Sequence, residues 1–193
     1  MKGQRLFSAE GLESARLLRL AVSFSLLALL VWFLLGVLER EARKAEEQSA
    51  NLILNQLRAS LVIKGAEVML SRNGRLEEYQ GINPFELVNH QWPSYTGLCK
   101  GPQYEPGTWC FLQEEQNVTA KTDRGWLLYT ANQPITLNGR GAEASESLAW
   151  KVTTEYADRN KNGQREQSER STGLKLSPVS SAEQSVLVQD ARH

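Results

Sequence analysis

The 193-residue chain carries 22 basic and 22 acidic side chains, so its formal net charge is zero. That balance excludes a chain-wide field of one sign, of the kind that draws a protein onto nucleic acid or a polyanionic surface. The length allows one domain of ordinary size, so the informative features are those distributed unevenly along it.

Residues 1–19 contain Lys2, Arg5, Arg16 and Arg19 and read as a short cytoplasmic N-terminus. Residues 20–38, "LAVSFSLLALLVWFLLGVL", have no charged side chain, and as a helix rising about 1.5 Å per residue they span roughly 28 Å, the thickness of a hydrocarbon core. A cleaved signal peptide would have a shorter apolar core followed by a small-x-small site, whereas this run continues into "EREARKAEE". A soluble chain of this length could hardly enclose such a helix and still build a second core. The segment therefore reads as a single transmembrane helix. Arg40, Arg43 and Lys44 follow it as closely as the other cations precede it, so charge bias alone does not set its orientation.

Residues 39–73 lack proline and place Ala50, Leu54, Leu57, Leu61 and Val68 at helical spacing, which predicts an amphipathic helix laid on a folded domain. Glu39 with Arg43, and Arg43 with Glu47, are spaced to pair on its wet face. Gly65 is expected to bend the helix and "SRNG" at 71–74 to end it. A homodimeric coiled coil is the alternative, but Ser49 and Gln56 interrupt the second heptad stripe, which favours packing within the chain.

From residue 74 to 179 the pattern changes to short strands between turns, an antiparallel β-rich domain. The only cysteines, Cys99 and Cys110, bracket "CKGPQYEPGTWC" with Pro102, Pro106 and Gly107 to turn the chain. Zinc would need further ligands, and the chain has only His90 and His193; a redox pair would normally be C-x-x-C. The reading is a structural disulfide, with two buried thiols as its alternative. A disulfide requires an oxidising compartment, which with the anchor predicts a bacterial inner-membrane protein whose C-terminal domain is periplasmic. A eukaryotic secretory route would make Asn117 of "NVT" a glycosylation sequon. "GTWCFL", "GWLLYT" and "GLKLSPV" read as strands. "LAWKVTTEYA" alternates Leu148, Trp150, Val152 and Tyr156 with Lys151, Thr153 and Glu155, predicting one buried and one wet face. Residues 180–193 are either a last short element or a disordered tail.

Residues 158–169, "DRNKNGQREQSE", fit the spacing of a calcium loop: Asp158, Asn160, Asn162, Glu166 and Glu169 as side-chain ligands, Gln164 through its carbonyl, and Gly163 at the sharp turn. Arg159, Lys161 and Arg165 oppose a divalent cation, and the position between two strands is not the helix-loop-helix of an EF-hand. No cofactor is required by this sequence; a structural calcium is the one candidate. No G-x-S-x-G turn or phosphate loop is present, and His90 has no second internal histidine to support it, so no catalytic residue is expected. Trp92, Trp109, Trp126 and Trp150 read as core aromatics, a carbohydrate platform being the alternative.

The layout of membrane helix, amphipathic extension and small antiparallel sheet resembles the type IV pilins and pseudopilins, which implies an α+β, pilin-like fold. The block "INPFELVNHQWPSYTGLCKGPQYEPGTWCF" followed by "GWLLYT" resembles the MSHA (mannose-sensitive haemagglutinin) pilus biogenesis protein F family. Asn83, Pro84, Phe85, Tyr95, Gly97, Gly107, Trp109 and Tyr129 carry that likeness, over about half of the part beyond the membrane. The resemblance implies a bitopic inner-membrane component that assists assembly of a type IV pilus through contacts with pilus assembly proteins or pilin subunits. Gly3 is followed by Gln4, and Gly11 by Leu12 with Glu13, Arg16 and Arg19 before the apolar run, which departs from a prepilin cleavage site. The expectation is an uncleaved, non-catalytic assembly protein; a minor pseudopilin and a periplasmic ligand-sensing module are the alternatives.

Overall fold

The computed structural model describes residues 7–72, 74–101, 104–113, 124–162, 166 and 169–180, with side chains from residue 16 on. One helix, α1, runs from Phe7 to Leu70, and the chain divides after Lys44 into two units, taken here in turn.

In the N-terminal unit, every large apolar side chain from Leu17 to Leu38 is 40% exposed or more. An apolar surface of this extent is stable only when lipid or a partner helix removes it from water. Among the described residues this is the one helix long and apolar enough to cross a membrane.

In the C-terminal unit, from Ala45 on, α1 packs on a five-stranded sheet. The strands are β1 (Tyr95–Leu98), β2 (Thr108–Gln113), β3 (Gly125–Thr130), β6 (Ser147–Tyr156) and β7 (Ser171–Pro178), in the order β1-β2-β3-β6-β7. Between β3 and β6, β4 (Ile135–Leu137) and β5 (Arg140–Ala142) form a separate hairpin. Asn138 and Gly139 take φ of 52° and 78° at its tip, the left-handed pair that a two-residue hairpin turn requires.

The sheet is mixed, which corrects the antiparallel expectation: β1 runs parallel to β2 and all other pairs are antiparallel. Trp109 N–H donates to the Ser94 carbonyl just ahead of β1, so β2 sets out from the starting end of β1 in the same direction. The Cys99–Cys110 disulfide, with Cα atoms 4.9 Å apart, then ties the end of β1 to the middle of β2.

The expected stripe of α1 is buried: Ala50, Leu54, Leu57, Leu61 and Val68 are at most 4% exposed, and Ile53 joins them. They meet Trp109, Leu127, Tyr129, Leu148, Trp150, Val152, Leu174 and Leu176 from alternate positions of the strands. The helix continues unbroken through Gly65. A Cβ there would stand 3.2 Å from the Leu174 backbone nitrogen, so its glycine lets α1 approach β7 closely.

The opposite face is not simply wet. Cys110, Trp126, Leu128, Ala149 and Val179 form a second apolar cluster, and all six residues of β3 are buried. Lys151, expected on a solvated face, instead lies with its ammonium 4.6 Å from the centre of the Trp126 ring. The described ion pairs of α1 are Lys44–Glu41 and Lys64–Glu67, not the spacings expected at Glu39, Arg43 and Glu47. On an exposed surface such pairs are nearly equivalent in energy, which leaves the choice to rotamers.

Candidate functional site

Phe85, Tyr95, Trp109 and Tyr129 gather on the helix-facing side of the sheet, with Asn83 bonded to Tyr95. Asn83 caps the 3₁₀ turn Pro84–Leu87: its side-chain oxygen accepts from Phe85 N–H at 3.2 Å, and Pro84 occupies the first position, where no N–H is needed. The turn delivers the Phe85 ring onto Tyr95 of β1, stacked at 4.0 Å with 10° between planes. Asn83 Nδ2 donates to Tyr95 Oη at 2.8 Å. From there the rings continue through Trp109 to Tyr129, 4.6 Å between centres, and to Trp150, 5.5 Å. Gly107 reaches φ 77° in the turn that starts β2, a conformation open to glycine at little cost.

At the far end the Tyr129 hydroxyl donates to Glu46 Oε1 at 2.9 Å, and the same oxygen accepts from Asn132 N–H at 2.7 Å. Burial pushes the Tyr129 hydroxyl well above its ordinary pKa, and the bond to Glu46 and that carboxylate's charge push the same way. Burial also raises the pKa of Tyr95, more than the bond from Asn83 lowers it, and the Glu86 charge adds to the rise. Both phenols stay neutral in the physiological range. The cluster is a packed, polar-capped scaffold, since Trp109 and Trp150 have no exposed surface. Glu46, half-buried, was not legible as an anchor, because in sequence it belongs to a charged run that reads as solvated.

The four tryptophans expected in the core differ. Trp109, Trp126 and Trp150 are buried, whereas Trp92 is half-buried with the exposed His90 ring edge-on at 4.7 Å. The indole Nε1 atoms of Trp92 and Trp126 are both buried without a hydrogen-bond partner among the described residues. At the open edge of the sheet, Thr96, Leu98, Cys99, Lys100, Tyr104 and Thr108 line a shallow cleft of about 200 Å³ beside the disulfide. Small-molecule sites usually enclose about 300–1,000 Å³, so the cleft is smaller than such a site.

The candidate calcium loop connects β6 to β7, which pair antiparallel with Tyr156 opposite Ser171. Its oxygens are brought together by the turn. Asp158 and Asn160 both accept from Asn162 N–H, at 3.3 and 3.1 Å. Glu166 Oε1 accepts from the side-chain amides of Asn160 and Asn162, at 2.7 and 3.0 Å. Glu169 is 6% exposed and takes Arg159 N–H on one oxygen and Glu166 N–H on the other, each at 3.1 Å. Lys161 bends the chain with φ 56°. Gly163, Gln164, Arg165, Asn117, His193 and residues 181–193 lie outside the described residues. Among the described residues no three His, Cys, Asp or Glu side chains gather as a metal-holding group. The loop's carboxylates act on its own N–H groups, which closes the hairpin.

Compared with known proteins, the chain matches no family model, no curated protein and no solved structure.

Proposed function

We propose that this protein is a single-pass inner-membrane component that assists assembly of an MSHA-type type IV pilus, with its N-terminus cytoplasmic and its sheet domain periplasmic. It works by contact with pilus assembly proteins or pilin subunits and performs no catalysis. The observation that carries the reading is the convergence of Asn83, Phe85, Tyr95, Trp109 and Tyr129 into one cluster. These five of the positions that resemble the pilus biogenesis family are separated by up to 46 residues in sequence and pack together, which supports the reading.

Two further features support the placement. The disulfide requires a compartment that keeps thiols oxidised, and the apolar helix precedes the disulfide-bearing domain. The wide apolar span has no leader-like site immediately before it, which favours an anchor that is kept over a subunit that leaves the membrane. Beyond the membrane the domain offers a surface: the cleft along β1 and Leu98, 47% exposed, on a strand that among the described residues pairs on one side only.

A photo-crosslinking residue at Leu98, in cells that build the pilus, is expected to capture a pilin or a pilus assembly protein. Capture only of general periplasmic chaperones would count against the reading. A calcium ion on the β6–β7 connection belongs to the same proposal as a structural support and has no part in any reaction.

A further inference from the structure

The buried stripe of α1 uses one face of that helix; the face opposite carries a second apolar pattern. Leu52, Ile63 and Leu70 are 55%, 62% and 88% exposed, and with Gln56, Ala59 and Ala66 they follow alternating steps of four and three residues. At about 100° per residue these six positions fall within a sector of roughly 80°, centred opposite the buried stripe. Asn55 and Glu67 border it on either side, Val62 and Met69, 65% and 45% exposed, lie farther round beyond Asn55, and Arg58 and Lys64 fall well outside it. The spacing is that of a coiled-coil seam in which Gln56 and the small Ala59 and Ala66 stand between three large apolar residues, so the interruption at Gln56 noted in the sequence falls at a seam position that coiled coils do fill with a polar residue. In sequence the phase continues upstream through Ser49, Ala45, Ala42 and Leu38. Within "EREARKAEE" the two alanines are the only uncharged residues, and both keep the phase.

We infer that the exposed face of α1 between Ala45 and Leu70 is a parallel, in-register helix–helix interface with a second copy of this chain. The inference rests on the membrane anchoring proposed above and is independent of the pilus. An anchored chain meets its own copies in one orientation and at one depth, so a parallel pair in register is the arrangement the bilayer already supplies. In that register Gln56 faces Gln56 of the other copy, and amide-to-amide bonding there is available in one register only, as polar residues in coiled-coil seams provide. Ala45, Ala59 and Ala66 let the two backbones approach. The flanking residues brought together across the seam are Asn55 with Ser60 and Val62 with Glu67, neither pair like-charged. Farther upstream the register brings Glu41 toward Glu46, whose carboxylate is held by Tyr129 and Asn132 of its own domain. The sheet occupies the other face of each helix, so the exposed stripe forms the seam, and a two-fold dimer is the smallest assembly that closes it.

The test is disulfide trapping of the full chain in native membranes, with single cysteines placed in turn from Asn55 to Leu70 and the native pair retained. Dimers are expected at positions 56, 59, 63, 66 and 70, with troughs at 58, 60 and 64 and none for Lys175→Cys on β7. In a second arm, Ile63→Glu is expected to weaken association at least about tenfold while leaving the melting of the sheet domain unchanged, because Ile63 is exposed in the single chain. Trapping without a repeat of 3.5 residues, cross-links only to a different polypeptide at these positions, or a monomeric mass for the wild-type chain in mild detergent would each overturn the inference. Normal pilus number together with periodic trapping would reject the pilus reading and leave the dimer standing.

Discussion

Replacing both cysteines, Cys99→Ala with Cys110→Ala, perturbs the point where β1 joins the sheet. The disulfide closes a loop of 12 residues, and the chain-entropy relation then gives about 2.8 kcal/mol of lost stability. The loss is also local. Strand β1 has four residues and lies at an edge; besides its parallel ladder with β2, Trp109 N–H to the Ser94 carbonyl at 2.7 Å and Cys99 N–H to the Phe111 carbonyl at 2.9 Å hold its two ends. Without the covalent tie, β1 should open before the antiparallel block β2-β3-β6-β7. The assay is denaturant unfolding of the full chain in detergent, followed by tryptophan fluorescence, with amide exchange read strand by strand. A fall of about 2–3 kcal/mol, with faster exchange concentrated in 94–99, is expected. A change below about 0.5 kcal/mol, or loss of protection spread evenly over β3 and β6, would refute the reasoning.

Leu57→Ala removes a side chain with no exposed surface from the helix–sheet contact and should cost about 2–5 kcal/mol in the same unfolding assay; a cost under 1 kcal/mol would mean the helix is not docked. The Tyr129 hydroxyl has its pKa raised by burial and by Glu46, so the folded state keeps a proton that the unfolded chain releases near pH 10. Stability is therefore whole below pH 10 and falls above it, by at most about 1.4 kcal/mol per pH unit and less where solvent screens the pair; Tyr129→Phe should flatten that alkaline slope. For the β6–β7 connection, a calcium affinity of about 10⁻⁴–10⁻³ M would raise stability by about 1.4–2.7 kcal/mol at 10 mM calcium, and Asp158→Ala should abolish the rise. A melting temperature unmoved by calcium would remove the ion from the account.

What could be read from the sequence was whatever a local period or spacing encodes. The stripe from Ala50 to Val68 repeats at the helical period, and β6 alternates from Leu148 to Val152, so both announce the face they bury. Cys99 and Cys110 were legible because their number and spacing leave few other uses. Asn138-Gly139 between Leu137 and Arg140 is a hairpin signal of the strongest short kind, and reading it would have located β4 and β5. Parallel pairing of β1 with β2 was not legible, since the turn residues between them say that the chain reverses but not where it returns. The burial of both faces of β3 was equally hidden: "GWLLYT" is apolar throughout, and its second cover, Lys151 over Trp126 among it, comes from a neighbouring strand. Glu46 shows the same limit for a charged residue, because its partners Tyr129 and Asn132 stand more than eighty residues away.

The claim that this chain assists pilus assembly from the membrane is tested most directly by deleting it in a cell that builds an MSHA-type pilus and counting surface fibres by electron microscopy, with the full chain restored from a plasmid. The account predicts a marked fall in fibre number with pilin retained in the inner membrane, and recovery on restoration. Fibres at normal number and length in the deletion strain would contradict it.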